Sequence, residues 1–199
     1  MEDNKKIRFI NTTFIKSASK KDEFIEDELP QIAIVGRSNV GKSSLINMLT
    51  NNSKMAKTSS TPGRTRLVNY FNVNKDFYIV DLPGYGFAKA GKNITSAWDS
   101  VMNDYFVENS KLKVVLLLLD SRLMPTSLDK QMLDYLAEQE IPAIIILTKT
   151  DKISRSELNT QINKISQDIR FNKDLIIPTS STKKQGLELV SKKLAEYLD

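Results

Sequence analysis

The sequence predicts a three-layer α/β domain in which a mixed, mostly parallel six-stranded sheet carries helices on both faces. Short β-branched or aliphatic runs alternate along the 199-residue chain with amphipathic segments of helical periodicity. Several strand runs are apolar throughout, which is typical of strands covered on both faces. Two of the strands are separated only by Asn74, Lys75 and Asp76, a connection too short for a crossover helix. We therefore expect one antiparallel strand in an otherwise parallel sheet.

The predicted strands lie at residues 31–35, 67–73, 77–80, 114–119, 143–147 and 175–177. The predicted helices lie at residues 41–49, 96–107, 127–139, 154–169 and 186–198. Several of these helices follow a Ser or Thr that can cap them. Residues 1–29, rich in Lys, Asp and Glu, predict an N-terminal arm that is partly ordered against the domain through residues 9–17. Residues 30–199 are expected to form one domain.

Composition excludes several kinds of chemistry. The chain contains no Cys and no His, which excludes disulfides, Cys/His zinc sites and any reaction that needs a histidine base. The longest apolar run, residues 114–119, is too short to span a membrane, and no apolar signal core follows the N-terminus, so we expect a cytoplasmic protein. The net charge of +5 favours contact with polyanions, although a solvated basic surface also explains it.

A phosphate-binding loop follows the first predicted strand. It reads Gly36, Arg37, Ser38, Asn39, Val40, Gly41, Lys42 and Ser43, and Ser44 continues into a predicted helix. The glycines of this Gly-x-x-x-x-Gly-Lys-Ser pattern let backbone N–H groups wrap a phosphate at a positive helix end. We expect Lys42 to reach the β- and γ-phosphates of a nucleotide, and Ser43 to bind Mg²⁺. The alternatives are a glycine turn that only caps a helix, and a P-loop kinase or ATPase.

A second motif, Asp81, Leu82, Pro83 and Gly84, follows the predicted strand at 77–80. This places it at the carboxyl edge of the sheet, where ligands of such folds bind. We expect Asp81 to hold a magnesium-bound water, and the Gly84 N–H to make a γ-phosphate contact that is lost on hydrolysis. By itself, an Asp-x-x-Gly segment also fits a simple turn.

A third motif, Thr148, Lys149, Thr150 and Asp151, follows the predicted strand at 143–147 and indicates base recognition. Asp151 can accept hydrogen bonds from guanine N1–H and N2–H₂, a pair that adenine lacks, so guanine is the expected base. The Lys149 stem would lie across the ring, and Ser180, Ser181 or Thr182 would donate a backbone N–H to guanine O6. The alternative is a helix N-cap at Asp151 or Ser154.

Residues 57–66 are polar and turn-rich, so we expect a switch loop at the mouth of the site. Thr65 is the preferred second hydroxyl ligand of Mg²⁺, but Thr58 and Thr61 are also available, and all three can instead cap turns. Gly63, Arg64, Arg66 and Leu67 complete the part of this loop that is predicted to contact nucleotide.

Together these motifs closely resemble the EngB family of bacterial GTPases, also called YihA or YsxC, over most of residues 30–198. The specific marks are Thr-Pro-Gly-Arg-Thr at 61–65, Tyr85-Gly86 after Gly84, and Thr148 in place of Asn at the start of the base motif. The resemblance implies a P-loop GTPase domain that converts GTP to GDP and phosphate with Mg²⁺, and it makes Thr65 the magnesium threonine. It also implies a role in assembly of the large (50S) ribosomal subunit and in normal cell division and septation. Arg66 departs from the family, which more often has Gln there.

Basic side chains flank the two expected switches: Lys54, Lys57, Arg64, Arg66, Lys89 and Lys92. With the resemblance, the large ribosomal subunit and its rRNA become the expected partners of a monomer that binds no DNA. Solvated lysines without a partner are the alternative. A non-enzymatic alternative is an RNA-binding or septum scaffold that uses its nucleotide structurally.

The predicted catalytic set is Lys42, Asn39, Thr65 and Gly84. Tyr85 stands where Ras-like switches place a glutamine, and its phenol has no amide to position water, so slow intrinsic hydrolysis is predicted. Asn39 resembles the Asn that holds K⁺ in potassium-activated GTPases, which makes K⁺ a candidate cofactor. A second interpretation is that Asn39 only tolerates the loop geometry. Trp98 and Tyr105 are predicted to be core residues rather than RNA-stacking groups.

Overall fold

The computed structural model describes residues 6–56, 67–86, 100–107 and 109–198. The strands are β1 (Thr12–Ala18), β2 (Gln31–Gly36), β3 (Val68–Val73), β4 (Phe77–Asp81), β5 (Leu112–Asp120), β6 (Ala143–Thr148) and β7 (Ile176–Pro178). The helices are α1 (Lys42–Leu49), α2 (Ser100–Phe106), α3 (Ser127–Glu138), α4 (Arg155–Asp168) and α5 (Leu187–Leu198). Short 3₁₀ helices lie at Lys21–Glu23, Thr150–Lys152 and Lys173–Leu175.

The strands form one sheet in the order β1-β3-β4-β2-β5-β6-β7. The pairs β2 with β4, β2 with β5, β5 with β6, and β6 with β7 are all parallel. Among the described strands only β3 runs in the opposite direction, antiparallel to both β1 and β4. The predicted fold class is therefore confirmed, including its one antiparallel strand, but the sheet has seven strands rather than six.

The additional strand, β1, has no burial pattern that the sequence could reveal. Of its seven residues only Ala18 is buried, so apolar and polar side chains do not sort onto two faces. Its register places Ala18 opposite Val68 of β3, with a bulge between Phe14 and Lys16. Backbone pairing with a strand distant in sequence, rather than side-chain burial, defines β1.

Apolar clusters on both faces of the sheet fix the edge that carries the motifs. On one face, side chains of the central strands pack against α2, α3 and α4, the last through Ile165. On the other face, α1 and α5 pack against the sheet through Leu45 and Leu194. Leu116 and Leu117 on β5 are fully buried, one in each cluster, and each such burial stabilises the fold by about 1.5–3 kcal/mol. Within the described ranges, no helix is both long and apolar enough to cross a membrane.

Candidate nucleotide-binding site

The phosphate-binding loop joins the end of β2 to the beginning of α1 and depends on two glycines. A Cβ on Gly36 would lie 2.8 Å from Val40 Cγ1 and 3.0 Å from the Leu118 carbonyl oxygen, so a side chain does not fit there. Gly41, with φ 117°, precedes the helix in a conformation that favours glycine. Lys42, Ser43 and Ser44 then form the first turn of α1, whose N–H groups have no acceptor within the helix. Such a turn can bind an anion.

The second motif lies directly against this loop. The Leu82 N–H donates to the Ile34 carbonyl at 3.1 Å, and both Leu82 and Pro83 are buried. A Cβ built on Gly84 would lie 3.1 Å from Lys42 Nζ and 3.2 Å from the Ser38 nitrogen. The structure therefore brings Gly84 beside the lysine that is expected to contact the phosphates.

The polar groups at this end of the site fit a magnesium ion. Asp81 Oδ1 is buried and has no hydrogen-bond partner among the described residues. Burial raises the pKa of Asp81, while the nearby charge of Lys42 and a hydrogen bond with Asn69 oppose that rise. A buried carboxylate oxygen without a partner is costly, and Mg²⁺ with its waters supplies what the oxygen lacks. Asp81 and the Ser43 hydroxyl are the described candidates for this role.

Thr148 ties the base motif to the phosphate-binding loop. Its hydroxyl donates to the Val40 carbonyl at 2.7 Å and lies 3.2 Å from the Leu119 carbonyl oxygen, in a buried setting. The Thr148 hydroxyl thus connects the end of β6 to the phosphate-binding loop. This is the position where the EngB family has Thr instead of Asn. The ends of β5 and β6 and the loop are held as one unit.

Lys149 is held in place by two acceptors. It has a left-handed backbone with φ 59°, and its ammonium donates at 2.9 Å to the Asn39 carbonyl and at 2.9 Å to Asp120 Oδ2. Arg122 binds the same carboxylate through Nε at 2.8 Å and Nη2 at 2.7 Å. Burial alone would raise the pKa of Asp120, but the hydrogen bonds from Arg122 and Lys149 outweigh it and hold this pKa below its usual range. The Lys149 stem is thereby fixed beside the loop.

Asp151 is fixed by the segment that follows β7. The Ser180 hydroxyl donates to Asp151 Oδ1 at 2.7 Å, which lowers the pKa of this carboxyl, and the Asp151 side chain is 7% exposed. The Thr150 hydroxyl donates to the Thr179 carbonyl at 2.9 Å, which joins the same two segments.

The three predicted donors to guanine O6 differ in their surroundings. The Ser180 N–H donates to the Gln185 carbonyl at 3.2 Å, so it already has an acceptor. Among the described residues, the N–H groups of Ser181 and Thr182 have none. Ser180 therefore contributes its hydroxyl, which bonds to Asp151. The N–H groups of Ser181 and Thr182 remain available as donors to guanine O6.

Asn39 and Tyr85 differ in exposure. Asn39 is exposed and left-handed, with φ 63°, which agrees with the interpretation that an Asn tolerates this loop geometry. Tyr85 is 2% exposed, and its hydroxyl donates to Asp129 Oδ1 at 2.7 Å. The phenol therefore points into the core, as does that of Tyr105, which is 1% exposed.

Part of the predicted site lies outside the described residues: Gly63, Arg64, Thr65 and Arg66, together with Thr58 and Thr61. The same holds for Lys57, Lys89, Lys92 and Trp98. Leu67 is described, lies directly before β3 and is partly buried. The choice of Thr65 as a magnesium ligand stays a prediction.

Two functional candidates escaped the sequence reasoning. Asp120 is the last residue of a buried strand at the carboxyl edge, as Asp81 is, and that position was a usable signal. Asp129 stands three residues after Thr126, the spacing of a capping box, which predicts a helix start but not a bond to Tyr85.

The fold and the site define a P-loop GTPase domain. A family model described as "50S ribosome-binding GTPase" matches residues 31–149. The chain is 45% identical over 179 residues to the probable GTP-binding protein EngB of Citrifermentans bemidjiense, covering 90% of this chain and 84% of that protein. It is 43% identical over 189 residues to the EngB protein of Clostridium perfringens strain SM101, covering 94% of each.

A crystal structure of a probable GTP-binding protein EngB superposes with a TM-score of 0.67 at 24% identity, covering 84% of this chain and 98% of that one, which supports the fold. The chain belongs to the EngB family of GTP-binding proteins, as its relatives show, and the family model places it among the GTPases. Membership of this GTPase family implies that the chain binds and hydrolyses GTP.

Proposed function

We propose that this protein is a slow GTPase switch that acts in the cytoplasm in assembly of the 50S ribosomal subunit, and that normal cell division and septation depend on it. The observation that carries the switch is the position of Gly84 beside the phosphate-binding loop, where an added Cβ would lie 3.1 Å from Lys42 Nζ. A γ-phosphate bound there would meet the Gly84 N–H, and hydrolysis would remove that contact. The matched family description, a 50S ribosome-binding GTPase, and the net charge of +5 support the large subunit and its rRNA as partners.

Hydrolysis at this site is mainly positioning and charge stabilisation. Lys42 and the free N–H groups at the start of α1 would bind the phosphates and offset the charge that develops on them. Ser43 and, through a water, Asp81 would hold Mg²⁺, with Thr65 as the expected third protein ligand. The metal would neutralise charge on the β- and γ-phosphates.

Slow intrinsic turnover follows from the position of Tyr85. Its hydroxyl is bonded to Asp129 in the core, so it does not orient an attacking water at the phosphates. Among the described residues of the second motif, no side-chain amide takes that role. A ribosome or a cation would then be needed for fast hydrolysis.

Cosedimentation with purified 50S subunits tests the switch. We expect more protein to sediment with a non-hydrolysable GTP analogue than with GDP, and we expect Lys42→Ala to lose this difference. Equal sedimentation in both nucleotides, with no GTP turnover on ribosomes, would instead support a scaffold that uses its nucleotide structurally.

Potassium activation is tested through Asn39. We propose that its exposed side chain holds K⁺ near the phosphates, so wild-type turnover should be faster in KCl than in NaCl. Because Asn39 has a φ of 63°, Asn39→Gly removes the amide without straining the backbone, and this variant should lose the salt preference. Equal wild-type rates in the two salts would exclude the role of K⁺.

A further inference from the structure

Tyr85 is held through its backbone by bonds that are individually weak. Its N–H donates to the Gly36 carbonyl at 3.3 Å, and its own carbonyl accepts from the Ser38 N–H at 3.2 Å. Both distances lie at or beyond the long end of the usual N–H···O range. Backbone pairing alone therefore leaves this point of the chain, next to Gly84, loosely fixed.

The side chain of Tyr85 supplies a stronger anchor. Its hydroxyl donates to Asp129 Oδ1 at 2.7 Å, and the two residues are 2% and 3% exposed. Hydrogen bonds to a carboxylate are stronger than bonds between neutral groups, especially away from water. Burial, and then the charge of Asp129, raise the pKa of Tyr85, so the phenol keeps the proton that it donates.

Asp129 is itself held rigidly at the beginning of α3. Its Oδ2 accepts from the Thr126 N–H at 2.8 Å and from the Thr126 hydroxyl at 2.7 Å. A negative charge in the first turn of a helix is stabilised by the helix dipole. The anchor of Tyr85 is thus a fixed helix end rather than a mobile side chain.

Anchoring of Tyr85 also affects the position of the neighbouring residue, Gly84. Gly84 lies beside Lys42, where an added Cβ would be 3.1 Å from Lys42 Nζ, so a shift of this backbone would change its distance to phosphates held by Lys42. We infer that Tyr85 is a positioning residue that, through Asp129, holds the Gly84 N–H where a γ-phosphate binds and thereby sets the affinity for GTP relative to that for GDP. This inference rests on the proposed function, because it assigns the Gly84 N–H to the γ-phosphate.

A tyrosine that only fills the core would behave differently. The ring of Tyr85 belongs to the apolar cluster that includes Leu82 and Met132. Tyr85→Phe keeps this ring and removes only the hydroxyl, so a packing role predicts an unchanged nucleotide preference. GDP has no γ-phosphate and serves as the internal reference, because its binding does not use the Gly84 contact.

The test measures the affinities of wild type and Tyr85→Phe for GDP and for a non-hydrolysable GTP analogue with Mg²⁺. We expect the analogue to bind about tenfold more weakly to the variant, as loss of one charge-assisted hydrogen bond implies. GDP affinity should stay within about twofold, because the lost positioning acts only on the γ-phosphate contact. The turnover number should fall along with the affinity for the analogue.

Two control variants separate positioning from stability. Tyr78→Phe removes a comparable bond, from the Tyr78 hydroxyl to Asp27 Oδ2 at 2.6 Å, and should change neither affinity. Thr160→Val removes an exposed bond on α4, from the Thr160 hydroxyl to the Ser156 carbonyl at 3.1 Å, and should also change neither affinity. If Tyr85→Phe does not fold, Asp129→Asn weakens the same bond and should shift the ratio of the two affinities in the same direction.

An unchanged ratio in Tyr85→Phe, or equal weakening of both nucleotides, would overturn the inference. If wild type binds both nucleotides while the variant keeps the ratio, only the inference fails. If wild type binds neither nucleotide, the proposed function fails with it.

Discussion

The two ends of the nucleotide site differ in how their polar groups are satisfied. At the base end, Thr148 bonds to the Val40 carbonyl, Lys149 bonds to Asp120, and Asp151 accepts from Ser180. At the phosphate end, Asp81 Oδ1 is buried without a hydrogen-bond partner among the described residues. The Lys42 ammonium likewise forms no ion pair with any of them.

This difference in hydrogen bonding suggests different roles for the two ends, with base recognition at one and phosphate chemistry at the other. Groups that already hold one another lose little freedom when a base binds, so we expect the base end to be preorganised for guanine. Groups that lack partners gain most when nucleotide and cation bind together, so the phosphate end depends on its ligands. We therefore expect guanine specificity to be built into the free protein, and turnover to depend on the bound nucleotide and cation.

The largest expected effect comes from the phosphate end. Lys42→Ala should weaken GDP and GTP by about 100-fold or more, since loss of one partner of a charged, desolvated pair costs about 2–5 kcal/mol. Without nucleotide, its melting temperature should fall only slightly, because Lys42 forms no ion pair with a described residue and acts on Asp81 only through its nearby charge. Titration with a fluorescent GDP analogue and thermal unfolding measure the two quantities.

The matched control is Lys173→Ala, which removes an exposed lysine on the 3₁₀ helix before β7. It should change neither the nucleotide affinity nor the melting temperature. A melting temperature of nucleotide-free Lys42→Ala far below that of wild type would contradict the proposed difference between the two ends of the site.

Thr148→Val should show the opposite behaviour at the base end. Valine matches the shape of threonine but leaves the buried Val40 carbonyl without its donor, so the free energy of unfolding should fall by about 1–3 kcal/mol even without nucleotide. Urea denaturation of the nucleotide-free protein measures this. Thr160→Val, at an exposed threonine on α4, should cost less than about 0.5 kcal/mol. Similar stabilities for the two variants would mean that the loop and base motif are not tied together through Thr148.

A smaller effect concerns the pH dependence of the base end. Because the pKa of Asp120 is lowered in the folded protein, its ionised form contributes stability above the unfolded pKa of about 4, and that contribution is lost as the pH falls through the folded value. The melting temperature of wild type should therefore exceed that of Asp120→Asn at pH 5–7, and the gap should narrow below about pH 4. A gap that widens towards acid would show that Asp120 is not held ionised by Lys149 and Arg122.

The order and type of the elements followed from local patterns wherever burial sorts the side chains. The apolar run in β5 and the three-residue connection before β4 were sufficient for the parallel sheet and its antiparallel strand. β1 was missed because its stability comes from pairing with β3, and pairing between distant segments leaves no periodicity in a single strand.

The location of the candidate site could be predicted from short motifs in which each residue type suits one group of the ligand. Lys42, Asp81 and Asp151 each belong to a motif at the carboxyl end of a strand, and their roles towards the nucleotide stay predictions. The bonds that fix them could not be predicted, since Ser180 with Asp151 and Tyr85 with Asp129 join residues 29 and 44 positions apart. Such contacts depend on how strand ends meet in three dimensions.

The most direct test of guanine recognition is the nucleotide preference of Asp151→Asn. Wild type should prefer GDP to ADP by up to about 10⁴-fold, and the variant should bind GDP much more weakly and xanthosine diphosphate more tightly, because the amide presents one donor and one acceptor. Ser180→Ala removes only the bond that positions the carboxylate, so it should weaken GDP without any gain for xanthosine diphosphate. An unchanged preference for GDP in Asp151→Asn would contradict the account.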